Sequence, residues 1–301
     1  MCSIVDPSPL EPEALDQEAL DREDAHREAL RRDRLRMLAV RHIQVRVSVR
    51  PGRGRLAHRP PLLLCNGIGA SLEVLQPLVD GLDPDRAVVR FDIPGVGGSP
   101  PPPSPYSLGV LSSWVTAVVA RLGYDEFDVL GLSWGGSLAQ HLAVQSRRHV
   151  RRLVLAATGT GSVMVPARPR VLAHMLTPRR HRDPTYAARV APEIYGGSMR
   201  THPERGAELL HAATRAGSRR GYYYQLGATA GWSSLPFLPM VKQPTLVLAG
   251  DDDPIIPLVN ARVLHRLIPN SVLHVYHGGH LGILTESDEL VPLIERFLSA
   301  P

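Results

Sequence analysis

The chain has 301 residues, 44% of them hydrophobic, which suits one large core, or a core carrying an inserted subdomain, rather than a multidomain assembly. Apolar runs are too short to cross a membrane, and Asp, Pro and Glu open the chain where a basic and then apolar signal segment would stand, so the expected location is the cytoplasm. The net charge of +5 comes from scattered arginines without interleaved aromatics, which make up only 5% of residues, and this argues against nucleic acid as a partner.

Residues 1–40 stand apart as a charged N-terminal extension, with acids from Asp6 to Glu28 and then arginines from Arg31 onward. It reads as a solvated arm, helical in part, with docking to an anionic surface as the competing role. From Ile43 the pattern turns to period two, with Val45, Val47 and Val49 alternating with Gln44, Arg46 and Ser48, as a half-exposed strand does. Short continuous apolar runs follow at Leu62–Cys65, Ala87–Phe91, Phe127–Leu130, Leu153–Ala157, Thr245–Ala249 and Val272–Tyr276. Such runs predict strands buried on both faces of a parallel sheet. Cys65 ends one of them and reads as a small core residue. With Cys2 in the polar leader, no disulfide framework is expected.

Helical stripes lie between the runs, the clearest placing Leu108, Leu111, Val115, Val118 and Leu122 at spacings of three and four. Alternating strands and helices give an α/β sandwich with a mostly parallel sheet. The alternation stops at residues 161–239, a proline-rich stretch of short helical pieces, so the expected organisation is a core of residues 41–160 and 240–301 with 161–239 inserted as a cap. A long segment there would cover the carboxyl ends of the strands, where such sheets bind ligands.

The chemistry is carried by Gly131-Leu132-Ser133-Trp134-Gly135, which follows the run Phe127–Leu130 and opens a helical pattern. This strand–turn–helix setting is what G-x-S-x-G requires to expose a serine hydroxyl. A hydroxyl is a weak nucleophile near neutral pH, so Ser133 needs a base, and the base needs a carboxylate to fix its tautomer. Asp251, Asp252 and Asp253 follow one later strand, and His277 and His280 follow the next. Asp253 is preferred because Pro254 marks the turn leaving the strand. His280 is preferred because Gly278 and Gly279 give it a loop able to return over Ser133. His265 and His274 fall within a helix and a strand and read as structural or exposed.

An oxyanion hole needs two backbone N–H groups aimed at the developing charge. Trp134 supplies one, and Ile68 in Asn66-Gly67-Ile68-Gly69 supplies the other. Asp92-Ile93-Pro94-Gly95-Val96-Gly97-Gly98-Ser99 has no helix directly behind it and reads as a structural turn, with Asp92 bonding local backbone.

From about Ile43 onward these residues, in this order, resemble the α/β-hydrolase superfamily. Asn66–Ala70, Asp92–Ser99, Ser133–Gly136, Val163–Pro166, Ile194–Gly197, Gly221–Tyr223 and Leu248–Pro257 also resemble intracellular poly(3-hydroxyalkanoate) depolymerases of the medium-chain-length type. The resemblance implies an α/β-hydrolase fold, with a mostly parallel sheet flanked by helices and a helical cap inserted after the sixth strand. It implies a serine hydrolase that cleaves stored polyester to 3-hydroxy acids or oligomers, without metal or organic cofactor, at a storage-granule surface in the cytoplasm. Met164, Val165, Tyr222, Tyr223 and Trp232 are the candidate substrate-binding residues, with Met175, Leu176, Tyr224 and Phe237 as further candidates and plain cap packing as the competing role. The charged extension, and His277-Gly278-Gly279 where acidic residues are expected, depart from that pattern. A general carboxylesterase or thioesterase and a non-catalytic granule-binding protein are the rival readings.

Overall fold

The computed structural model describes residues 34–204, 208–209 and 217–300. Its strands are β1 (Arg34–Val40), β2 (Ile43–Arg50), β3 (Leu62–Cys65), β4 (Val88–Phe91), β5 (Phe127–Leu132), β6 (Val150–Ala156), β7 (Thr245–Gly250) and β8 (Ser271–Tyr276). They form one sheet in the order β1-β2-β4-β3-β5-β6-β7-β8. β1 and β2 pair antiparallel, β2 runs antiparallel to β4, and every later neighbouring pair is parallel. The helices among the described residues are α1 (Gln76–Gly81), α2 (Leu108–Arg121), α3 (Trp134–Gln145), α4 (Pro169–Met175), α5 (Pro184–Tyr195), α6 (Arg219–Thr229), α7 (Leu258–Leu267), α8 (Gly282–Thr285) and α9 (Ser287–Ser299).

The central strands have continuous apolar sequences because both of their faces are covered. Leu63 and Cys65 of β3 join one core cluster with Leu111 of α2, Leu138 of α3 and Leu264 of α7. Leu62 and Leu64, one residue out of phase, join a second cluster with Leu78 of α1 and Ile294 of α9. Burying one such side chain is worth roughly 1.5–3 kcal/mol, so the two clusters fix the strand register firmly. Complete burial also pushes the Cys65 thiol pKa far up, which keeps it an inert core residue, as expected.

Three expectations need correction. The expected extension ends too late: Arg34–Val40 is a strand pairing with β2 along its length, while residues 1–33 lie outside the described residues. Its pattern is weak because it is an edge, with Leu35 and Met37 exposed and Val40 buried. β2 is not half-exposed: Arg46 and Ser48 are buried. Arg46 is tolerated there because Nη1 donates to Asp92 Oδ2 at 3.0 Å and Nη2 pairs with Glu73 Oε1. β8, expected to be buried on both faces, is the other edge and leaves Val272 and Val275 exposed.

Between β6 and β7 the chain leaves the sheet to form α4, α5 and α6, an insertion pinned at its stem by a bridge between Gly161 and Ser233. This cap meets the loops at the carboxyl ends of the sheet. Gln225 of α6 accepts from Gly69 N–H at 2.8 Å, after β3. Its carbonyl accepts from the Trp134 indole at 2.9 Å, after β5. Tyr195 O accepts from His280 N–H at 2.7 Å, after β8.

Candidate active site

Ser133 sits where β5 turns into α3, at φ 55° and ψ −118°, a left-handed conformation that a serine adopts only under constraint. The constraint is visible. Ser133 N–H donates to Ala156 O at 2.9 Å in β6, and its carbonyl accepts from Thr158 Oγ1 at 2.8 Å. The flanking glycines are required by close approach: a Cβ on Gly131 would lie 2.5 Å from Gly135 O, and one on Gly135 would lie 2.1 Å from Cys65 O. Strand and helix therefore meet more tightly than any side chain permits, which leaves the Ser133 hydroxyl at the head of the turn.

The three aspartates and two histidines sort themselves by partner. Asp251 Oδ2 lies 3.0 Å from Nδ1 of His277, whose side chain is 96% exposed, so that pair stands in solvent. Asp252 takes Arg200 Nε and Nη2, both at 2.7 Å, and Gly197 N–H at 2.8 Å, tying the cap to the β7 loop. Asp253 faces inward. Its Oδ1 accepts from Ile255 and Ile256 N–H, both at 2.9 Å, which leaves Oδ2 for His280 Nδ1 at 2.7 Å. His280 Nε2 lies 2.9 Å from Ser133 Oγ. The Asp253 and His280 side chains are all but buried, and Tyr195 stacks on the imidazole with ring centroids 6.4 Å apart. A carboxylate at Nδ1 favours the tautomer with its proton there, and Nε2 is then free to accept the Ser133 proton.

The two N–H groups expected to act as oxyanion donors are both open. In the β3 loop, Gly67 N–H is taken by Asn66 Oδ1 at 2.8 Å and Gly69 N–H by Gln225 Oε1. Ile68 N–H lies between them. Trp134 opens α3, where first-turn N–H groups lack intrahelical acceptors. Neither N–H finds an acceptor among the described residues. The loop is close enough to act with the serine, since a Cβ on Gly67 would stand 3.8 Å from Ser133 Cβ.

A narrow cavity of about 30 Å³ opens at Ser133, with Ile68, Leu132 and His280 on the core side and Met175, Arg180, His181 and Tyr195 on the cap side. The expected substrate residues are not among those lining it. Val165 and Tyr223 are exposed, Met164 packs against Gly159, and Trp232 donates to His141 Nδ1 at 3.2 Å. Tyr222 is buried behind the lining, against Gly69 and Arg180. Of the further candidates only Met175 reaches the cavity, while Leu176 is exposed and Tyr224 and Phe237 pack on neighbouring rings. Arg180 and His181 carried no signal in the sequence, because nothing local separates them from exposed cap residues; Tyr195 lay within the stretch Ile194–Gly197 singled out by resemblance but was not named for the site.

His265 and His274 bond to Ser271 and Glu289, away from the site. Asp92 has a wider role than a local turn: it accepts from Gly98 N–H and from Leu72 N–H, both at 2.7 Å, so it also steadies the loop that carries Ile68. Among the described residues no cluster of three His, Cys, Asp or Glu side chains could hold a metal, and no helix is long and apolar enough to cross a membrane.

A family model described as "alpha/beta hydrolase fold" matches residues 60–287. The poly(3-hydroxyalkanoate) depolymerase of Ectopseudomonas oleovorans is 47% identical over 255 residues, covering 84% of this chain and 88% of that protein. The 3-oxoadipate enol-lactonase 2 of Acinetobacter baylyi is 26% identical over 225 residues, covering 75% of this chain and 83% of that protein. Among solved structures, the enol-lactonase from Burkholderia xenovorans superposes with a TM-score of 0.74 at 22% identity, covering 88% of this chain and all of that one, a likeness of fold. Family match, close relative and sheet order agree: the chain belongs to the α/β-hydrolase family and is a hydrolase.

Proposed function

We propose that this hydrolase cleaves the ester bonds of poly(3-hydroxyalkanoate) through an acyl-enzyme on Ser133. The observation that carries this reading is the buried line from Asp253 through His280 to Ser133, closed at 2.7 and 2.9 Å. The polyester is the substrate class of the relative sharing 47% identity.

In this mechanism Ser133 Oγ attacks the ester carbonyl as its proton passes to His280 Nε2, and Asp253 stabilises the imidazolium. The Ile68 and Trp134 N–H groups hold the oxyanion. His280 returns the proton to the departing alcohol oxygen, then takes one from the water that attacks the acyl-enzyme and passes it to Ser133 Oγ as the 3-hydroxy acid or oligomer leaves. The cavity of about 30 Å³ holds one or two waters, so a hydroxyacyl unit has to widen it on binding. Work at a storage-granule surface in the cytoplasm belongs to the same reading.

The test is product analysis from emulsified polyesters of short and medium side chain. The wild type is expected to release soluble 3-hydroxy acids or oligomers and Ser133→Ala none. Hydrolysis of soluble p-nitrophenyl esters with no release from either polymer would replace this reading with the small-ester one.

A further inference from the structure

The cap side of the cavity carries a buried cation. Arg180 is 2% exposed and lines the same cavity as Ser133, next to His181 at 9%. Its Nη1 donates to Tyr222 Oη at 3.0 Å, and that hydroxyl donates in turn to Met175 O at 2.5 Å. Arg180 also hydrogen-bonds Tyr195, the ring stacked on His280, so the guanidinium stands one side chain from the base. The His181 ring leans on Tyr222 at 6.1 Å between centroids, and a Cβ on Gly69, next to Ile68, would meet both rings at 2.8 Å. Cation, imidazole and oxyanion loop thus share one wall.

Taking a guanidinium out of water is costly, and Arg180 offsets part of that cost through Tyr222 Oη and through the carbonyls of His174 and Thr177, which Nη1 reaches at 3.4 and 3.5 Å. Arginine keeps its charge at any working pH and offers a planar fork matched to carboxylate oxygens. A linear polyester of hydroxy acids carries one carboxylate, at the end of the chain. When Ser133 attacks an ester carbonyl, the acyl side of the chain runs toward the free hydroxyl end and the leaving alcohol runs toward that carboxylate. Arg180 and Tyr195 stand on the cap side of the cavity, within it and beside Ser133, where the carboxylate of a chain end would meet the guanidinium.

We propose that Arg180, with His181 beside it, forms a carboxylate subsite for the leaving-group end of the substrate, so that cleavage proceeds from the carboxyl terminus and favours short hydroxyacyl oligomers. The proposal rests on the ester-hydrolase reading above and adds direction to it.

The experiment compares a 3-hydroxyacyl dimer as the free acid and as its methyl ester. Wild-type kcat/KM is expected to favour the free acid by about 30-fold or more, the size expected for one buried charge-assisted hydrogen bond. In Arg180→Met that ratio should fall to about one, with Arg180→Lys between them. Equal wild-type rates on the two dimers would overturn the subsite and leave the hydrolase reading standing, as would an Arg180→Met variant that slows both equally. Hydrolysis of neither dimer, with polymer and p-nitrophenyl esters also untouched, would overturn the underlying function and the subsite with it. Should Arg180→Met not fold, inhibition of the wild type decides: the free 3-hydroxy acid is expected to compete with a p-nitrophenyl ester where its amide does not, and equal inhibition by the two would refute the subsite.

Discussion

Gln225 offers a sharp test of how the cap serves the chemistry. Its side-chain oxygen accepts the Gly69 N–H at 2.8 Å and its carbonyl accepts the Trp134 indole at 2.9 Å, so one fully buried cap residue holds Trp134, one proposed oxyanion donor, and the neighbour of Ile68, the other. Gln225→Met keeps the length and removes the acceptor. Leaving the Gly69 N–H buried and unpaired should cost about 1–3 kcal/mol of stability. At roughly 2–4 °C per kcal/mol for a domain of this size, Tm should fall by about 2–12 °C. Losing an oxyanion donor outright typically costs ~10²–10³-fold in kcat, so a loop that shifts without leaving should lose about 10- to 100-fold. The assay is kcat and KM on a p-nitrophenyl ester beside a thermal melt, with Gln225→Glu as the variant that restores an acceptor oxygen. A fall in kcat at nearly constant KM, recovered in part by Gln225→Glu, is expected. A lowered Tm with kcat within about twofold of wild type would refute the reasoning, because the Asn66–Ser71 and Leu72–Asp92 bonds would then suffice to hold the loop.

Two further outcomes follow from the site. Asp253→Asn should keep the bonds from Ile255 and Ile256, and hence the fold by circular dichroism, yet lose about 10³–10⁴-fold in kcat because the amide no longer favours the right imidazole tautomer. His277, by contrast, is a fully exposed imidazole whose pKa is raised by the hydrogen bond to Asp251. A raised folded-state value stabilises below the unfolded value of about 6.5 and is lost as pH rises through the folded one. His277→Gln should therefore lower Tm slightly at pH 5.5 and not at pH 8.5, with kcat unchanged at both; salt should erase even the acid-side difference.

The sheet was legible because burial on two faces writes itself as unbroken apolar runs, and β3, β5 and β7 stand where those runs lie. Edges were less legible. β1 hides among arginines and buries few side chains, and β8 has an apolar sequence that its position does not bury. At the site, Ser133, Asp253 and His280 could be picked out because each follows a strand directly, and local turn chemistry marks it. Arg180 could not. Arg179 and Arg180 are adjacent and identical in type, yet Arg179 lies in solvent beside Asp183 while Arg180 is buried at the cavity. Only the docking of the cap onto the sheet separates them, and that docking depends on pairs such as Gln225 with Gly69, which lie 156 residues apart. Arg46 is the same case within a strand: period two points it outward, and distant Asp92 and Glu73 draw it in.

The central claim is that His280 activates the Ser133 hydroxyl as a nucleophile. Labelling with a fluorophosphonate, followed by peptide mass mapping, reads this most directly. The account predicts one adduct, on the peptide containing Ser133, formed far more slowly in His280→Ala and absent from Ser133→Ala. An adduct on another residue, or equal labelling rates with and without His280, would contradict it.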